Sequence, residues 1–330
     1  MMSNEKVLEV YDLKKYFPVT RTLSDIFRKK KQEYIRAVDG ISFTLSRGEI
    51  LGLIGESGCG KTTTGRLILR LEEPTSGKII FMGKDVTHLP EKDLRPLRKH
   101  MQLIYQDPYA SLNPRIKIGE QLVEPLLVHG LADRDEAREI VLKMLERVGL
   151  VPPEEFYERL PHHLSGGQRQ RVVIARAMVL KPVFVVADEP VSMIDVSMRA
   201  SILKLLEKFR QEEKVSILFI THDISVGRII ADRLAVMYLG KIVEIGPTEE
   251  VINNPYHPYT KALIDAVPSI YKRKRSKLKI AGEPPDPRNP PSGCRFHPRC
   301  PFRTEKCDKI EPELIEVSKN HFVACINLIR

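Results

Sequence analysis

No run of apolar residues in this chain approaches the ~18–20 needed to span a bilayer. The opening stretch, Met1-Met-Ser-Asn-Glu-Lys-Val-Leu-Glu-Val10, has an early acid and lacks the apolar segment of a secretory signal. Together these absences predict a protein that stays in the cytosol and meets a membrane only through a partner. Aromatic residues are scarce, at 6%. Neither basic run, Arg28-Lys-Lys-Lys31 or Tyr271-Lys-Arg-Lys-Arg-Ser-Lys-Leu-Lys279, is interleaved with stacking rings, and no nucleic-acid motif accompanies them. The net charge of +10 is therefore read first as solvated surface charge and second as attraction to headgroups beside a membrane partner. No nucleic-acid partner is expected. Cysteine is sparse too: Cys59 stands alone, and Cys294, Cys300, Cys307 and Cys325 fall in the last 40 residues. Reducing conditions disfavour disulfides, so four clustered thiols point to metal first.

What the sequence does contain is a phosphate-binding stretch, Leu53-Ile-Gly-Glu-Ser-Gly-Cys-Gly-Lys-Thr-Thr63. It fits G-x-x-x-x-G-K-[ST], with Gly55, Gly60, Lys61 and Thr62 at the fixed positions. Ile50, Leu51, Leu53 and Ile54 before it read as a buried strand, and Thr64 to Leu71 after it as a helix. Gly55, Gly58 and Gly60 allow the backbone to curl so that successive N–H groups face a polyphosphate, and the helix N-terminus adds the positive end of its dipole. Lys61 is placed for the β- and γ-phosphates and Thr62 for Mg²⁺. Ser57, Gly58, Cys59, Gly60 and Thr63 complete the expected nucleotide contacts.

The chain builds strands before this loop, at Val7–Phe17 and Ala37–Leu45, and α/β units after it. Further strands are expected at 77–82 and 101–105. A helical block runs from 107 to about 180, and apolar strands at 183–187 and 216–220 flank a helix from 196 to 212. Ser165 reads as the N-cap of a helix beginning with Gly166-Gly-Gln168. Polar clusters end the strands: Gln106, then Asp188-Glu189, then His222. Ligand sites of open α/β sheets form at such carboxyl ends. Phosphoryl transfer to water needs a held Mg²⁺ and an aligned water, tasks that suit Asp188 and Glu189, with Gln106 able to touch either the metal or the water. His222 can reach a γ-phosphate. Prolines at 284, 285, 287, 290 and 291 mark a change of texture, and a boundary is placed near Val267.

Gly55–Thr62, Gln106, Leu164-Ser-Gly-Gly-Gln168, Phe184-Val-Val-Ala-Asp-Glu189, Ser192-Met-Ile-Asp195 and His222 resemble the ATPase subunit of an ABC transporter. The Ser-Gly-Gly-Gln signature is the specific part. The resemblance implies an α/β P-loop fold with a RecA-like core, an antiparallel β subdomain and a helical subdomain. It also implies head-to-tail pairing, each ATP lying between one subunit's phosphate loop and the other's signature (here Ser165, Gly167 and Gln168, with Asp195 nearby). Magnesium would then be held by Thr62, Gln106 and Asp188, and Phe17 would stack on adenine, with Tyr16 the neighbouring alternative. The middle of Ser192-Met-Ile-Asp195 departs from the family's usual Ser-Ala-Leu-Asp.

Tyr105-Gln-Asp-Pro-Tyr-Ala-Ser-Leu-Asn-Pro114, Asn254-Pro-Tyr-His-Pro-Tyr-Thr-Lys-Ala-Leu263 and Cys294-Arg-Phe-His-Pro-Arg-Cys-Pro301 narrow the resemblance to the oligopeptide/dipeptide (and nickel) importer branch, dipeptide-type F subunit. That branch implies a non-identical second ATPase subunit, two permease subunits, an extracytoplasmic peptide-binding protein, and a place at the cytoplasmic face of the membrane. The segment after Gln106 would sense the permease. Residues 1–266 would form the nucleotide-binding domain and 267–330 a small Cys-rich domain. The C-x5-C-x6-C-x17-C spacing is looser than a zinc ribbon. The resemblance favours a [4Fe–4S] cluster on Cys294, Cys300, Cys307 and Cys325, with zinc second and His297 a substitute ligand. Other readings are a soluble ABC ATPase acting on nucleic acid or ribosomes, an importer of nickel or another small solute, and an iron–sulfur electron carrier.

Overall fold

A computed structural model of the chain describes residues 5–21, 32–267, 278, 280 and 282–329. The basic run at 28–31 and all but one residue of that at 271–279 lie outside the described residues, as does the stretch just after the expected boundary near Val267. The chain divides into two compact units: Met1–Val7, Leu45–Ile50 and His88–Ile220 form one, and Leu8–Thr44, Leu51–Thr87 and Thr221–Arg330 the other.

In chain order the elements begin with β1 (Lys6–Pro18), β2 (Tyr34–Ser46), β3 (Ile50–Ile54), α1 (Lys61–Ile68), β4 (Ser76–Phe81) and β5 (Lys84–Asp85). Strands β2, β1, β4 and β5 lie side by side in that order, β4 antiparallel to both β1 and β5. Leu8, Val10 and Leu13 of β1 are buried, together with Ile79 and Phe81 of β4. This is the antiparallel sheet that the alternating strands before the loop predict.

Next come α2 (Glu91–Arg98), β6 (Met101–Ile104), α3 (Pro108–Ser111), α4 (Ile118–Val128), α5 (Arg134–Arg147), α6 (Pro153–Glu158), α7 (Gly166–Met178), β7 (Phe184–Asp188), α8 (Val196–Glu213) and β8 (Ser216–Thr221). Among the described residues no strand interrupts the helices between β6 and β7. Asp133 closes the N-terminus of α5 in a reciprocal capping box with Glu136. Strand β7 lies between β6 and β8 and is parallel to both, in register Ile104↔Ala187 and Asp188↔Ile220. Its four apolar residues, Phe184 to Ala187, are fully buried, and each large one contributes roughly 1.5–3 kcal/mol by leaving water. That placement explains why Phe184-Val-Val-Ala187 is apolar on both faces.

The chain ends with α9 (Ile224–Ile230), β9 (Arg233–Tyr238), β10 (Lys241–Pro247), α10 (Thr248–Asn253), α11 (Pro258–Ala266), β11 (Ile315–Ser318) and β12 (His321–Val323). Strand β3 runs parallel to β9, and β9–β10, β10–β12 and β12–β11 are antiparallel. The C-terminal tail does not build a core of its own, which corrects the expected separate Cys-rich domain. Its strand β12 extends the sheet through β10, in register Glu244↔Val323. Its Phe296, 1% exposed, packs edge-on against Tyr238 at 5.3 Å and tilted against Tyr259 at 5.4 Å. Glu244, fully buried on β10, accepts from the backbone N–H groups of Tyr256 and His257 and pairs with His321 of β12 at 2.8 Å. A tail with few apolar residues gains its stability by packing into the core of the unit it shares with residues 8–44 and 51–87.

Candidate nucleotide site

The loop between β3 and α1 is shaped by close approach. A Cβ on Gly60 would lie 2.1 Å from the carbonyl oxygen of Ala37, and its φ of +109° suits only glycine. Lys61, 5% exposed, donates from Nζ to the carbonyls of Gly55 (2.7 Å) and Glu56 (2.9 Å), closing the curl of the loop. Cys59 is buried, with its thiol 3.8 Å from Lys61 Nζ, and burial pushes its pKa up. Ser57, Gly58 and Thr62 face solvent, and Thr63 is half-buried. The exposed part of the loop thus lies at the start of an eight-residue helix, a place that favours an anion. Phe17, half-buried near the end of β1, has Lys15 Nζ 4.8 Å from its ring centroid. Tyr16 instead donates its hydroxyl to Asp39, and burial followed by that bond pushes its pKa up to about 12. His222 is exposed directly after β8, and the next residue, Asp223, caps α9 by accepting from Ser225 N–H at 2.9 Å.

In the other unit, Gln106 follows β6, and its Nε2 donates to Glu189 Oε2 at 3.2 Å. The parallel register of β6 and β7 brings these two chain ends together. Asp188, 8% exposed, is the last residue of β7. Glu189 has a φ of +46°, a backbone state that costs of order 1–3 kcal/mol outside glycine. Three bonds hold it there: Glu189 N–H donates to the Ile220 carbonyl (2.9 Å), and the Glu189 carbonyl accepts from Ser192 N–H (3.1 Å) and Oγ (2.9 Å). Ser165 is the N-cap of α7, as the sequence predicts. Its Oγ accepts from Gln168 N–H at 3.3 Å, while Gln168 Oε1 accepts from Ser165 N–H at 3.0 Å. Gln168 is thereby tied to its own helix start. Gly167 is packed near Met198, whose Cε lies 3.0 Å from where its Cβ would stand. Asp195 stands at the N-cap of α8, with its side chain exposed.

Residues 38–192 match the family described as ABC transporter, and 243–307 that described as oligopeptide/dipeptide transporter, C-terminal region. The oligopeptide transport ATP-binding protein AppF of Bacillus subtilis is 48% identical over 98% of both chains. The chain belongs to the ABC transporter ATP-binding family, in its oligopeptide/dipeptide branch. The dipeptide transport ATP-binding protein DppF of Haemophilus influenzae is 47% identical to this ABC subunit, again over 98% of both chains. Among solved structures, the dimeric, post-hydrolysis ATP-binding cassette MJ0796 bound to ADP and Pi superposes with a TM-score of 0.63 at 26% identity, covering 73% of this chain and 98% of that one.

The tail of this ABC subunit reaches its phosphate loop, a feature invisible in the sequence. Arg299 donates from Nη1 and Nη2 to the two carboxylate oxygens of Glu56 at 2.8 and 3.1 Å. Tyr259, fully buried, accepts from Glu56 N–H at 2.9 Å. Arg295 pairs with Asp39 and donates to the Leu239 carbonyl. Burial opposes ionisation of Asp39, but the bond from Tyr16 and the charges of Arg295 and Lys241 hold its pKa below the usual range. The only hint was that Arg295 and Arg299 lie inside the Cys294–Cys300 motif.

The expected four-thiolate ligand set is not borne out. Burial is the largest cause that pushes Cys294 up to about 11 and Cys325 up to about 12, and the other three cysteines lie close enough to Cys325 to add to its shift. Each sulfur also has local company. Cys307 Sγ lies 3.4 Å from Thr304 N and 3.3 Å from its Oγ1, and Cys325 Sγ donates to the Asn327 carbonyl at 3.2 Å. His297 Nδ1 is engaged with the Cys294 carbonyl at 2.9 Å. Among the described residues no three His, Cys, Asp or Glu side chains are disposed to hold an ion. Among the described residues nothing therefore supports the [4Fe–4S] cluster or the zinc expected on these thiols.

Proposed function

We propose that this ABC subunit turns ATP hydrolysis into import of di- and oligopeptides through a membrane permease. What carries the reading is a family likeness that runs through the ATPase portion and on into the oligopeptide-type tail. We take residues 1–266 as the ATPase portion, with 107–180 as its helical part, and 267–330 as the tail. No helix among the described residues is long and apolar enough to cross a membrane, which agrees with a peripheral subunit at the cytoplasmic face. Its partners are a second ABC ATPase subunit, two permease subunits and an extracytoplasmic peptide-binding protein. Tyr105 and Tyr109, 47% and 61% exposed beside Gln106, offer the permease an apolar contact.

The curled loop, the buried Lys61 and the exposed Thr62 fit a Mg²⁺–triphosphate. Lys61 neutralises phosphate charge, and the hydroxyl of Thr62 is a hard oxygen donor for the metal. Asp188 and the Gln106 amide supply the other protein oxygens assigned to Mg²⁺, whose chemistry is charge neutralisation at the phosphates. Glu189 accepts the proton of the attacking water, and Gln106 holds its carboxylate in place. Phe17 stacks on adenine and His222 donates to the γ-phosphate. Ser165, Gly167, Gln168 and Asp195 serve the ATP of the paired subunit, the N–H groups of α7 facing its γ-phosphate.

Reconstitution with the cognate permease, binding protein and second ATPase subunit in vesicles tests the proposal. Uptake of labelled dipeptide is expected only with ATP, and Lys61→Ala abolishes it. ATP-driven uptake of nickel with no peptide transport would move the subunit to the alternative cargo. Metal analysis of the anaerobically purified chain decides the tail: one cluster's worth of iron per chain, lost on Cys→Ser changes, would restore the cluster reading.

A further inference from the structure

A carboxylate is an unexpected side chain for an anion-binding loop. Glu56 follows Gly55 directly, so its charge opposes the charge of any bound polyphosphate. The structure assigns the compensating cation: we infer that Arg299 of the tail is a positioning residue of the nucleotide site, neutralising Glu56 and fixing the first turn of the phosphate loop.

Four observations converge on this. The Arg299–Glu56 pair is bidentate, at 2.8 and 3.1 Å, the geometry that gives both strength and direction. The Arg299 side chain is 8% exposed and that of Glu56 29%, so solvent screens the pair only in part. The guanidinium lies 5.8 Å over the Tyr238 ring and donates to its hydroxyl at 3.4 Å. Tyr259, 4.7 Å from Tyr238 between ring centroids, holds the backbone N–H of the same Glu56. Side chain and main chain of one loop residue are thus gripped by a single aromatic and cationic cluster. Arg299 ends the short helical turn His297–Arg299, which packs into the unit through Phe296. The tail is therefore part of the nucleotide site.

The inference rests on ATP binding at Gly55–Thr62, and a wild-type chain that bound no ATP would fail that reading before testing this one. Calorimetric titration of the full-length chain with AMP, ADP and ATP is the experiment. Arg299→Gln is expected to weaken ATP binding roughly 5–50-fold, ADP less and AMP least, because the exposed Glu56 charge acts on phosphate charge. Arg299→Lys keeps the cation and most of the affinity. The double change Glu56→Gln with Arg299→Gln removes both charges and restores ATP binding. An unchanged ATP affinity in Arg299→Gln overturns the proposal. So does an equal loss for all three nucleotides that the double change leaves unrepaired, since that pattern belongs to a purely structural tail. Should Arg299→Gln fail to fold, Arg299→Lys against the double variant carries the same comparison.

Discussion

The amide of Gln106 donates to the carboxylate of Glu189 across 3.2 Å, joining the ends of two neighbouring parallel strands. A carboxylate held in this way is oriented before substrate arrives, as the base proposed above must be. Glu189→Gln is therefore expected to lower ATP hydrolysis ~10²–10⁴-fold, the usual contribution of a positioned base, while ATP affinity is retained. Single-turnover phosphate release measured beside equilibrium nucleotide binding checks both halves. Undiminished turnover would remove Glu189 from the role.

Ser192 grips the backbone of Glu189 rather than its side chain. Loss of its hydroxyl removes one of the bonds that maintain the +46° φ. Ser192→Ala is expected to cut the hydrolysis rate ~3–10-fold, equivalent to one net hydrogen bond. Ser192→Thr, which keeps the hydroxyl, retains the rate. Equal rates in the alanine variant and the wild type would show that the backbone bonds suffice.

Ser165 caps α7, a task separable from the phosphate contact proposed for it. Aspartate is as good an N-cap as serine but carries charge. Ser165→Asp should unfold at nearly the wild-type temperature, whereas Ser165→Ala loses about 1 kcal/mol. The aspartate variant should nonetheless lose ATP-dependent association with the partner subunit, followed by light scattering with hydrolysis blocked. Normal association would mean that no phosphate approaches this cap.

His257 is enclosed, its Nδ1 accepting from Tyr259 N–H at 3.1 Å, and burial lowers its pKa from 6.5 to about 3. The folded chain refuses a proton that the unfolded chain takes up below about pH 6.5. Stability contributed here is therefore complete above that pH and falls as the solution is acidified toward 3, by about 1.4 kcal/mol per unit. His257→Asn retains a cap acceptor without the titration. Chemical denaturation at pH 5.5 and 4.5, both below the unfolded value of 6.5, should show the wild type's advantage over the variant shrinking by close to that slope, whereas a constant advantage would be falsifying.

Much of the α/β core was legible because local chemistry dictated it. The apolar five-residue strands end in polar clusters, and Ser165 announces a helix that begins at Gly166. Helical periodicity dominates from 107 to about Gly149, and the structure keeps that stretch largely helical. Strands β9 and β10 were missed: their residues are buried almost throughout, so they lack the alternation that marks a half-buried strand. The tail was misread more deeply. Its cysteines suggested a self-contained metal domain, yet its stabilising partners are Glu56, Asp39, Tyr238 and Glu244, the first two more than two hundred residues away. No spacing rule encodes a pair such as Arg299 and Glu56. The positive φ of Glu189 was equally hidden, since nothing in Asp188-Glu189-Pro190 demands it.

The seating of Phe296 against Tyr238 and Tyr259 has a practical corollary for anyone shortening or swapping this protein. A chain cut at the notional seam after residue 266 would bare an oily hollow beside the phosphate loop and strip His321 from a sealed-in Glu244. Such a truncation should clump rather than work as a minimal motor. A transplanted tail from a sister subunit would succeed only if it brought along its own plug for the hollow and its own cation for Glu56.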